Sequence, residues 1–376
     1  MGDGGLHGPC NSLRVMNEER KTPGAGSDES VASNGENAAV TERKAAGGGG
    51  RRKRAGRKRA VAAAGLAASS LGVLAAGNAP AERAASSTPP EPAPAPEVAE
   101  KRGVTWDLTV TDHERIDFFV DFLKGKNYDK TRVWLERIGK YGPLIQQELR
   151  ERGMPEDLLY LTMIESGLDP NAYSRAHAAG LWQFISETGQ RYDLEVSDYV
   201  DERRDPVKAT EAALTYLQEM HDRFGSWYLS AAGYNTGENR VGRIMRETTG
   251  SERGEDAAYW EIWEQLPRET RDYVPLMIAM GHIAKEPEKY GFQGIEPMTP
   301  LEFEKVSVPG GTKLSAVAQA GDVDPAVVED LNPHLVKGST PPGRTMDVRV
   351  PVGRGMVIAA NLGGQQTGAG PVYLAD

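Results

Sequence analysis

The chain has 376 residues and a formal net charge of −10 at pH 7, and this length allows two or three domains. The acidic balance argues against a nucleic-acid-binding protein, because such proteins concentrate basic residues on one surface. Cys10 is the only cysteine, which excludes a disulfide within the chain and a cysteine-based structural zinc site.

The first part of the chain divides into three segments of distinct composition. Residues 1–50 are rich in Gly, Ser and charge and predict a disordered leader. Residues 51–81 place a basic block before an Ala-rich apolar run and small residues, an order typical of a secretory signal. Residues 82–100 are rich in Ala and Pro and predict a stiff, extended linker.

The apolar run is shorter than the ~20 strongly apolar residues that a membrane-spanning helix needs. An exported protein is therefore the favoured interpretation, and a basic disordered arm with a helical Ala patch is the alternative. No cysteine follows the run, so we expect no bacterial lipoprotein attachment site. Export without disulfides indicates the bacterial cell envelope, on the periplasmic side.

Residues 101–296 predict an all-α domain. No stretch between 112 and 290 alternates with a two-residue period, whereas apolar residues recur at helical spacing. The clearest helix runs from Asp205, a capping residue, to Phe224, with Pro206 at its first position. Further helical patterns cover 226–233, 239–247, 259–265 and 269–285.

Residues 297–353 predict a small β-α-α-β module. Two strands and two helices are indicated by alternation and by helical spacing, at 304–308, 312–320, 325–331 and 346–350. The sequence from 354 to 376 is rich in Gly and predicts a flexible tail.

Glu165 is a charged residue on an apolar helical stripe. The segment 155–167 predicts a helix that starts with Pro and ends with Gly. Leu158, Leu161 and Glu165 follow i, i+3, i+7 spacing, and Glu165 lies in the last turn, where the helix dipole disfavours negative charge. Both effects raise a carboxyl pKa, which suits a general acid. The alternative is an acid neutralised by a buried Arg or exposed at the helix end.

Four segments carry polar groups at places that suggest a cleft, and the small residues of the second would let the chain pass close to a ligand. They are 165–167, 174–184, 231–241 and 269–275, with the motifs Glu-Ser, Gly-Leu-Trp-Gln-Phe, Tyr-Asn-x-Gly and Glu-Thr-Arg-x-Tyr-Val. In this order and at these intervals, they resemble the lytic transglycosylases with a lysozyme-like (SLT) fold, of the membrane-bound lytic murein transglycosylase D type. The resemblance covers about residues 110–290.

The resemblance implies that Glu165 is the only catalytic acid/base. Glu165 would protonate the β-1,4 glycosidic oxygen between N-acetylmuramic acid and N-acetylglucosamine, with the substrate's acetamido group in place of a protein nucleophile. It would then take the proton of the C6 hydroxyl, which closes on C1 to give a 1,6-anhydro sugar. The enzyme would be a carbon–oxygen lyase, unlike glycosidases that use two carboxylates. No cofactor and no metal are implied.

The resemblance also implies substrate contacts from seven residues, which are Ser166, Ser174, Gln183, Phe184, Tyr234, Asn235 and Tyr273. Gln183 would contact the acetamido or peptide side of the glycan, Tyr234 and Asn235 would border the cleaved bond, and Tyr273 would close the other side. Ser166 would orient Glu165 or the acetamido group; capping of the helix end is the alternative.

Two positions depart from the family pattern. Leu168 stands where relatives often have an aromatic residue, and Thr236 stands where they commonly have Ala. Neither change removes a chemical group that the reaction needs.

The C-terminal module resembles a degenerate peptidoglycan-binding LysM domain, through segments 308–314, 330–333 and 348–351. The module would either bind glycan or only pack against the rest of the protein.

Two other functions are weighed against the lytic transglycosylase. A hydrolytic muramidase resembling goose-type lysozyme would need a positioned water and usually a second carboxylate, and nothing marks an acid such as Asp169 for that role. A non-catalytic wall-binding scaffold is disfavoured because Glu165, Gln183, Tyr234 and Asn235 are retained. The expected partners are peptidoglycan strands, and cell-wall synthesis or division proteins.

Overall fold

The computed structural model describes residues 104–370. The predicted leader 1–50, signal-like segment 51–81 and linker 82–100 lie outside the described residues, as do the last positions, 371–376. Among the helices of the described part, none is both long enough and apolar enough to span a membrane.

The larger domain is helical, as predicted. Its α-helices are α1 (Glu114–Lys124), α2 (Tyr128–Glu151), α3 (Leu159–Ser166), α4 (Ser186–Arg191), α5 (Pro206–Phe224), α6 (Trp227–Thr236), α7 (Glu238–Thr249), α8 (Ala257–Glu261) and α9 (Arg268–Lys285). Short 3₁₀ turns lie at Glu156–Leu158, Glu202–Arg204, Trp263–Gln265 and Pro287–Tyr290. β-Structure in this domain is limited, within the described residues, to isolated bridges.

The ends of α5 show why the sequence prediction of this helix is confirmed. Asp205 accepts hydrogen bonds from the N–H groups of Val207 and Lys208, and Pro206 occupies the first helical position, where its missing N–H costs nothing. Gly225 ends the helix with a left-handed φ of 75°.

The core of this domain forms around α3 and α9, and α9 also packs against α1 and α6. Almost every side chain of α3 is buried, so this helix has no polar face. The carboxyl group of Glu165, which belongs to α3, is therefore buried in the core.

The C-terminal module has one helix and one strand more than predicted. It contains β1 (Glu304–Val308), α10 (Leu314–Gly321), α11 (Pro325–Leu331), β2 (Met346–Val350), α12 (Gly355–Leu362) and β3 (Gln365–Ala369). The sheet is antiparallel with the order β2-β1-β3, and Val306 of β1 faces Val348 of β2. The predicted β-α-α-β unit is confirmed as the first part of this module.

The prediction of a flexible tail from 354 onward is wrong for residues 355–369. Ile358 of α12 is fully buried in the module core, and β3 pairs along β1. β3 has the sequence Gln-Gln-Thr-Gly-Ala and mostly exposed side chains, so backbone hydrogen bonds rather than apolar burial hold it. A strand of this kind leaves no alternating pattern in the sequence.

We expect Ile358→Ala to lower the free energy of unfolding by about 2–5 kcal/mol, because the substitution leaves a cavity in a closed core. Val357→Ala is the matched control, since Val357 is the neighbouring residue and is 48% exposed; its effect should stay within about 0.5 kcal/mol. Urea unfolding measures both. Equal, small losses would mean that α12 does not belong to the core.

Candidate active site

α3 carries Glu165 in its last turn and ends against an aromatic ring. The predicted helix 155–167 begins as the 3₁₀ turn Glu156–Leu158 and continues as α3. It ends at Gly167, whose φ of 63° is left-handed. A Cβ on Gly167 would lie 1.9 Å from Trp134 Nε1, so glycine alone allows this close approach.

Glu165 is only 4% exposed. Tyr273 Oη donates to its Oε1 at 2.6 Å, and its Oε2 has no hydrogen-bond partner among the described residues. Burial raises the pKa of Glu165 well above its usual value; the hydrogen bond from Tyr273 opposes this rise, and the charge of Glu269 adds to it. Among the described residues, no basic side chain contributes to this pKa. Glu165 therefore keeps its proton at a pH where an exposed glutamate has lost it.

Tyr273 lies on α9, whose first turns are held by aromatic side chains. Pro275 has no N–H, so the carbonyl of Arg271 lacks its usual donor four residues later. Trp263 Nε1 and Tyr259 Oη donate to that oxygen instead, at 2.9 and 3.0 Å. Tyr273 is fully buried, and burial raises its pKa well above the usual value, so its hydroxyl remains a donor.

Asn235 lies at the end of α6 with half of its amide group unpaired. Its Oδ1 accepts from Thr270 Oγ1 at 2.9 Å, whereas its buried Nδ2 has no hydrogen-bond partner within residues 104–370. Glu165 Oε2 is in the same state. An unsatisfied buried polar group costs about 1–3 kcal/mol. Two of them at the predicted site indicate hydrogen bonds that a polar ligand would complete.

Residues 172–184, which we call the site loop, contain two polar residues that were predicted to contact the substrate, Ser174 and Gln183. Gln183 is buried with a left-handed φ of 49°, and its Nε2 donates to Gly180 O at 2.9 Å. Ser174 is also buried, and its Oγ accepts from Ala178 N at 3.1 Å. Both side chains bind the backbone of the loop itself, which fixes the loop conformation.

Three carbonyl groups of the site loop accept hydrogen bonds from three other parts of the domain. The donors are Ser166 Oγ to Leu181 O at 2.8 Å, Tyr234 Oη to Trp182 O at 2.8 Å and Arg203 Nη1 to Phe184 O at 3.1 Å. Ser166 thus contacts backbone, as in the capping alternative. The loop is attached at once to the end of α3, to α6 and to the turn Glu202–Arg204.

Trp182 and Phe184 are fully buried. Trp182 Nε1 donates to Thr210 Oγ1 at 2.9 Å, and Phe184 packs on Tyr234 and Tyr192 with ring centroids 6.2 and 6.5 Å apart. Phe184, which was predicted to contact substrate, is a core residue in this structure.

Glu269 and Thr270 belong to the segment 269–275, but neither was assigned a role at the site from the sequence. Glu269 acts on the pKa of Glu165 through its charge, and Thr270 holds Asn235. A signal for Glu269 was present, because it precedes Tyr273 by four residues and therefore shares its face of α9.

We expect Gly180→Ala to destabilise the protein by about 4 kcal/mol, at the upper end of single-substitution effects. Gly180 has a φ of 84°, and an added Cβ would lie 1.7 Å from Arg203 O. Gly153→Ala is the matched control, since Gly153 has a φ of 66° and nothing within 4 Å; backbone strain alone should cost about 1–2 kcal/mol there. Urea unfolding measures both, and equal losses would contradict the close contact.

The chain is similar to known proteins in both domains. Residues 143–256 match the Transglycosylase SLT domain family, and residues 302–365 match the family described as Lytic transglycosylase MltD, LysM-like domain. Membrane-bound lytic murein transglycosylase D of Escherichia coli (strain K12) is 35% identical over 222 residues, which are 58% of this chain and 47% of that protein. A putative tributyltin chloride resistance protein of Alteromonas sp. (strain M-1) is 36% identical over 116 residues, 30% of this chain and 56% of that protein.

Among solved structures, an inactive mutant of the lytic transglycosylase Slt from Pseudomonas aeruginosa is 21% identical, with a TM-score of 0.31, and the match covers 48% of this chain and 26% of that one. The chain spans about half the length of the curated relatives it matches. The helical domain is therefore similar to the Transglycosylase SLT domain family, and the C-terminal module is similar to the LysM-like domain of MltD-type lytic transglycosylases.

Proposed function

We propose that the chain is a peptidoglycan lytic transglycosylase that cleaves the β-1,4 bond between N-acetylmuramic acid and N-acetylglucosamine and leaves 1,6-anhydromuramic ends. The observation that carries this proposal is the state of Glu165, a buried carboxyl group with a raised pKa and an unpartnered oxygen. The E. coli relative, named a lytic murein transglycosylase, supports the substrate class.

In the first step Glu165 acts as general acid through Oε2. Tyr273 holds Oε1 at 2.6 Å and so fixes the plane of the carboxyl group. The proton moves to the glycosidic oxygen as the bond from that oxygen to C1 breaks, and the acetamido group of the substrate stabilises the positive charge at C1. Asn235 Nδ2 supplies a hydrogen bond to a substrate acceptor beside the bond.

In the second step the ionised Glu165 acts as general base. It takes the proton of the C6 hydroxyl while O6 bonds to C1, which restores the acid and closes the anhydro ring. The Tyr273 hydroxyl stabilises the carboxylate between the two steps, because a donor to the charged form favours it. No water is consumed, and one carboxyl group performs both proton transfers.

A hydrolase on the same fold would need a positioned water and usually a second carboxylate as its base. Among the described residues, the acid whose charge shifts the pKa of Glu165 is Glu269. In the proposed reaction the negative charge of Glu269 does not activate a water. It raises the pKa of Glu165 and so helps to keep the proton on Glu165 before the substrate binds.

We also propose that the protein acts on glycan strands in the bacterial periplasm after export through the segment 51–81. The support is the E. coli relative, which is named a membrane-bound lytic murein transglycosylase.

We expect purified protein to release products from peptidoglycan that are lighter by one water than hydrolysis products and that lack a reducing muramic end. Glu165→Gln should lower the rate by at least about 10³-fold, because it removes both proton transfers, and binding to wall sacculi should remain. Mass spectrometry of the soluble products measures the outcome. Reducing, hydrated products would identify a hydrolase, and full activity of Glu165→Gln would remove Glu165 from the reaction.

We expect two substitutions to move the alkaline limb of kcat/KM in opposite directions. Glu165 must carry its proton in the free enzyme, so the rate falls as pH rises through its pKa. Glu269→Gln removes a negative charge and should move this limb about one pH unit lower. Tyr273→Phe removes the hydrogen bond that opposes the raised pKa, so the limb should move higher and the rate should fall about 10²-fold.

Tyr228→Phe is the control for the pH profiles. Tyr228 is another fully buried tyrosine, and its hydroxyl donates to the backbone oxygen of Thr109. This substitution should leave the pH profile in place. Shifts of Glu269→Gln and Tyr273→Phe in the same direction would show that these residues do not set the pKa of Glu165.

A further inference from the structure

A buried ion pair joins the C-terminal module to the helical domain. Arg349 of β2 donates through Nη2 to both carboxyl oxygens of Asp205, at 2.6 and 2.8 Å, and both side chains are under 10% exposed. Asp205 is also the residue that caps α5. Burial alone would raise the pKa of Asp205, but Arg349 and His334 outweigh it and hold this pKa below its usual value.

A second set of contacts lies a few residues earlier in the helical domain. Asp201 N donates to His334 O at 2.9 Å, and Val336 N donates to Tyr199 O at 3.1 Å. Val200 is fully buried in the module's core cluster, although it belongs to the helical domain in sequence. The module therefore holds the segment 199–205 at both ends.

Arg203 connects this segment to the site loop. It is 4% exposed and forms two 2.8 Å hydrogen bonds to Asp201. Its Nη1 donates to His177 O at 2.7 Å and to Phe184 O at 3.1 Å, at two points of the site loop. A change in the position of Arg203 would move the loop that carries Gln183.

Asn332, in the segment 330–333 that resembles LysM domains, supports the backbone of Arg349. Asn332 is 1% exposed; its Nδ2 donates to Val328 O and Arg349 O, both at 2.7 Å, and its Oδ1 accepts from Arg349 N at 2.9 Å. The amide group thus braces the backbone of Arg349 rather than facing outward to a sugar.

We infer that the module is a fixed part of the catalytic unit and that Arg349 is a positioning residue, which sets the site loop through Asp205 and Arg203. This inference rests on the proposed function. A buried ion pair often adds little net stability compared with apolar packing, because both charges lose their hydration. Its directional geometry does give a defined orientation, which the site loop requires.

The test compares Arg349→Met with wild type in the full chain, on a soluble glycan substrate and on wall sacculi. We expect kcat to fall about 10-fold or more, because small displacements of positioning groups slow the chemical step. KM and sacculus binding should stay within about two-fold, since no substrate contact is lost. Hydrogen exchange should become faster in residues 172–184 and stay unchanged in α9.

Two further variants and one control complete the test. Arg349→Lys keeps the charge but replaces the planar guanidinium with a compact ammonium on a different stem, so it should recover part of kcat. Asp205→Asn keeps a capping side chain and removes the charge, and it replaces Arg349→Met if that variant does not fold. The control is Arg344→Met, which breaks an exposed 2.8 Å pair with Glu195 across the same domain boundary and should change neither kcat nor exchange.

Three results would overturn the inference. A raised KM or lost sacculus binding with unchanged kcat would assign the module to glycan binding. Faster hydrogen exchange throughout the protein would show that Arg349 only stabilises the fold in general. An unchanged kcat together with unchanged hydrogen exchange would show that Arg349 does not position the site loop. Inactive wild-type protein would instead refute the proposed function, and hydrogen exchange would still test the connection from Arg349 to the site loop.

Discussion

The main constraint on the site is that the carboxyl group of Glu165 is buried, where ionisation is unfavourable. Glu165 lies in the core, on a helix that is buried on almost every side. Its carboxylate form would accept a hydrogen bond from Tyr273. Among the described residues, no cation is one of the groups that shift its pKa. The charge of Glu269 adds to this bias. Packing of the helical core offsets the cost of the unsatisfied oxygen. The benefit is a proton that stays on the acid at a pH where an exposed glutamate has lost it.

The elements around Glu165 are connected mainly through backbone oxygens. The site loop gives three carbonyls to the end of α3, to α6 and to Arg203. In α9, the carbonyl left without a donor by Pro275 is bound by Trp263 and Tyr259. Backbone contacts of this kind hold the loop and helix positions. The charged donor among them, Arg203, is paired with Asp201 and is not among the groups that shift the pKa of Glu165. The position of the site therefore depends on these backbone contacts as well as on the side chains predicted to meet the substrate.

Much of this could be predicted from the sequence, because the relevant signals are local. Helix periodicity, the Pro–Gly boundaries and the apolar stripe around Glu165 indicated the helical domain and its acid. What could not be predicted depends on contacts distant in sequence. β3 is held by backbone pairing with β1, the burial of Phe184 depends on Tyr234 and Tyr192, and the Arg349–Asp205 pair joins residues 144 positions apart. Periodicity does not record such contacts.

The central claim is that burial keeps Glu165 protonated at a pH where an exposed glutamate is ionised. Infrared difference spectroscopy between the wild-type protein and Glu165→Gln tests it most directly, because protonated carboxyl and carboxylate groups absorb separately. The account predicts a protonated-carboxyl band at pH 7 that the variant lacks and that disappears as the pH is raised. A carboxylate band from Glu165 at pH 7, with no protonated-carboxyl band, would contradict the account.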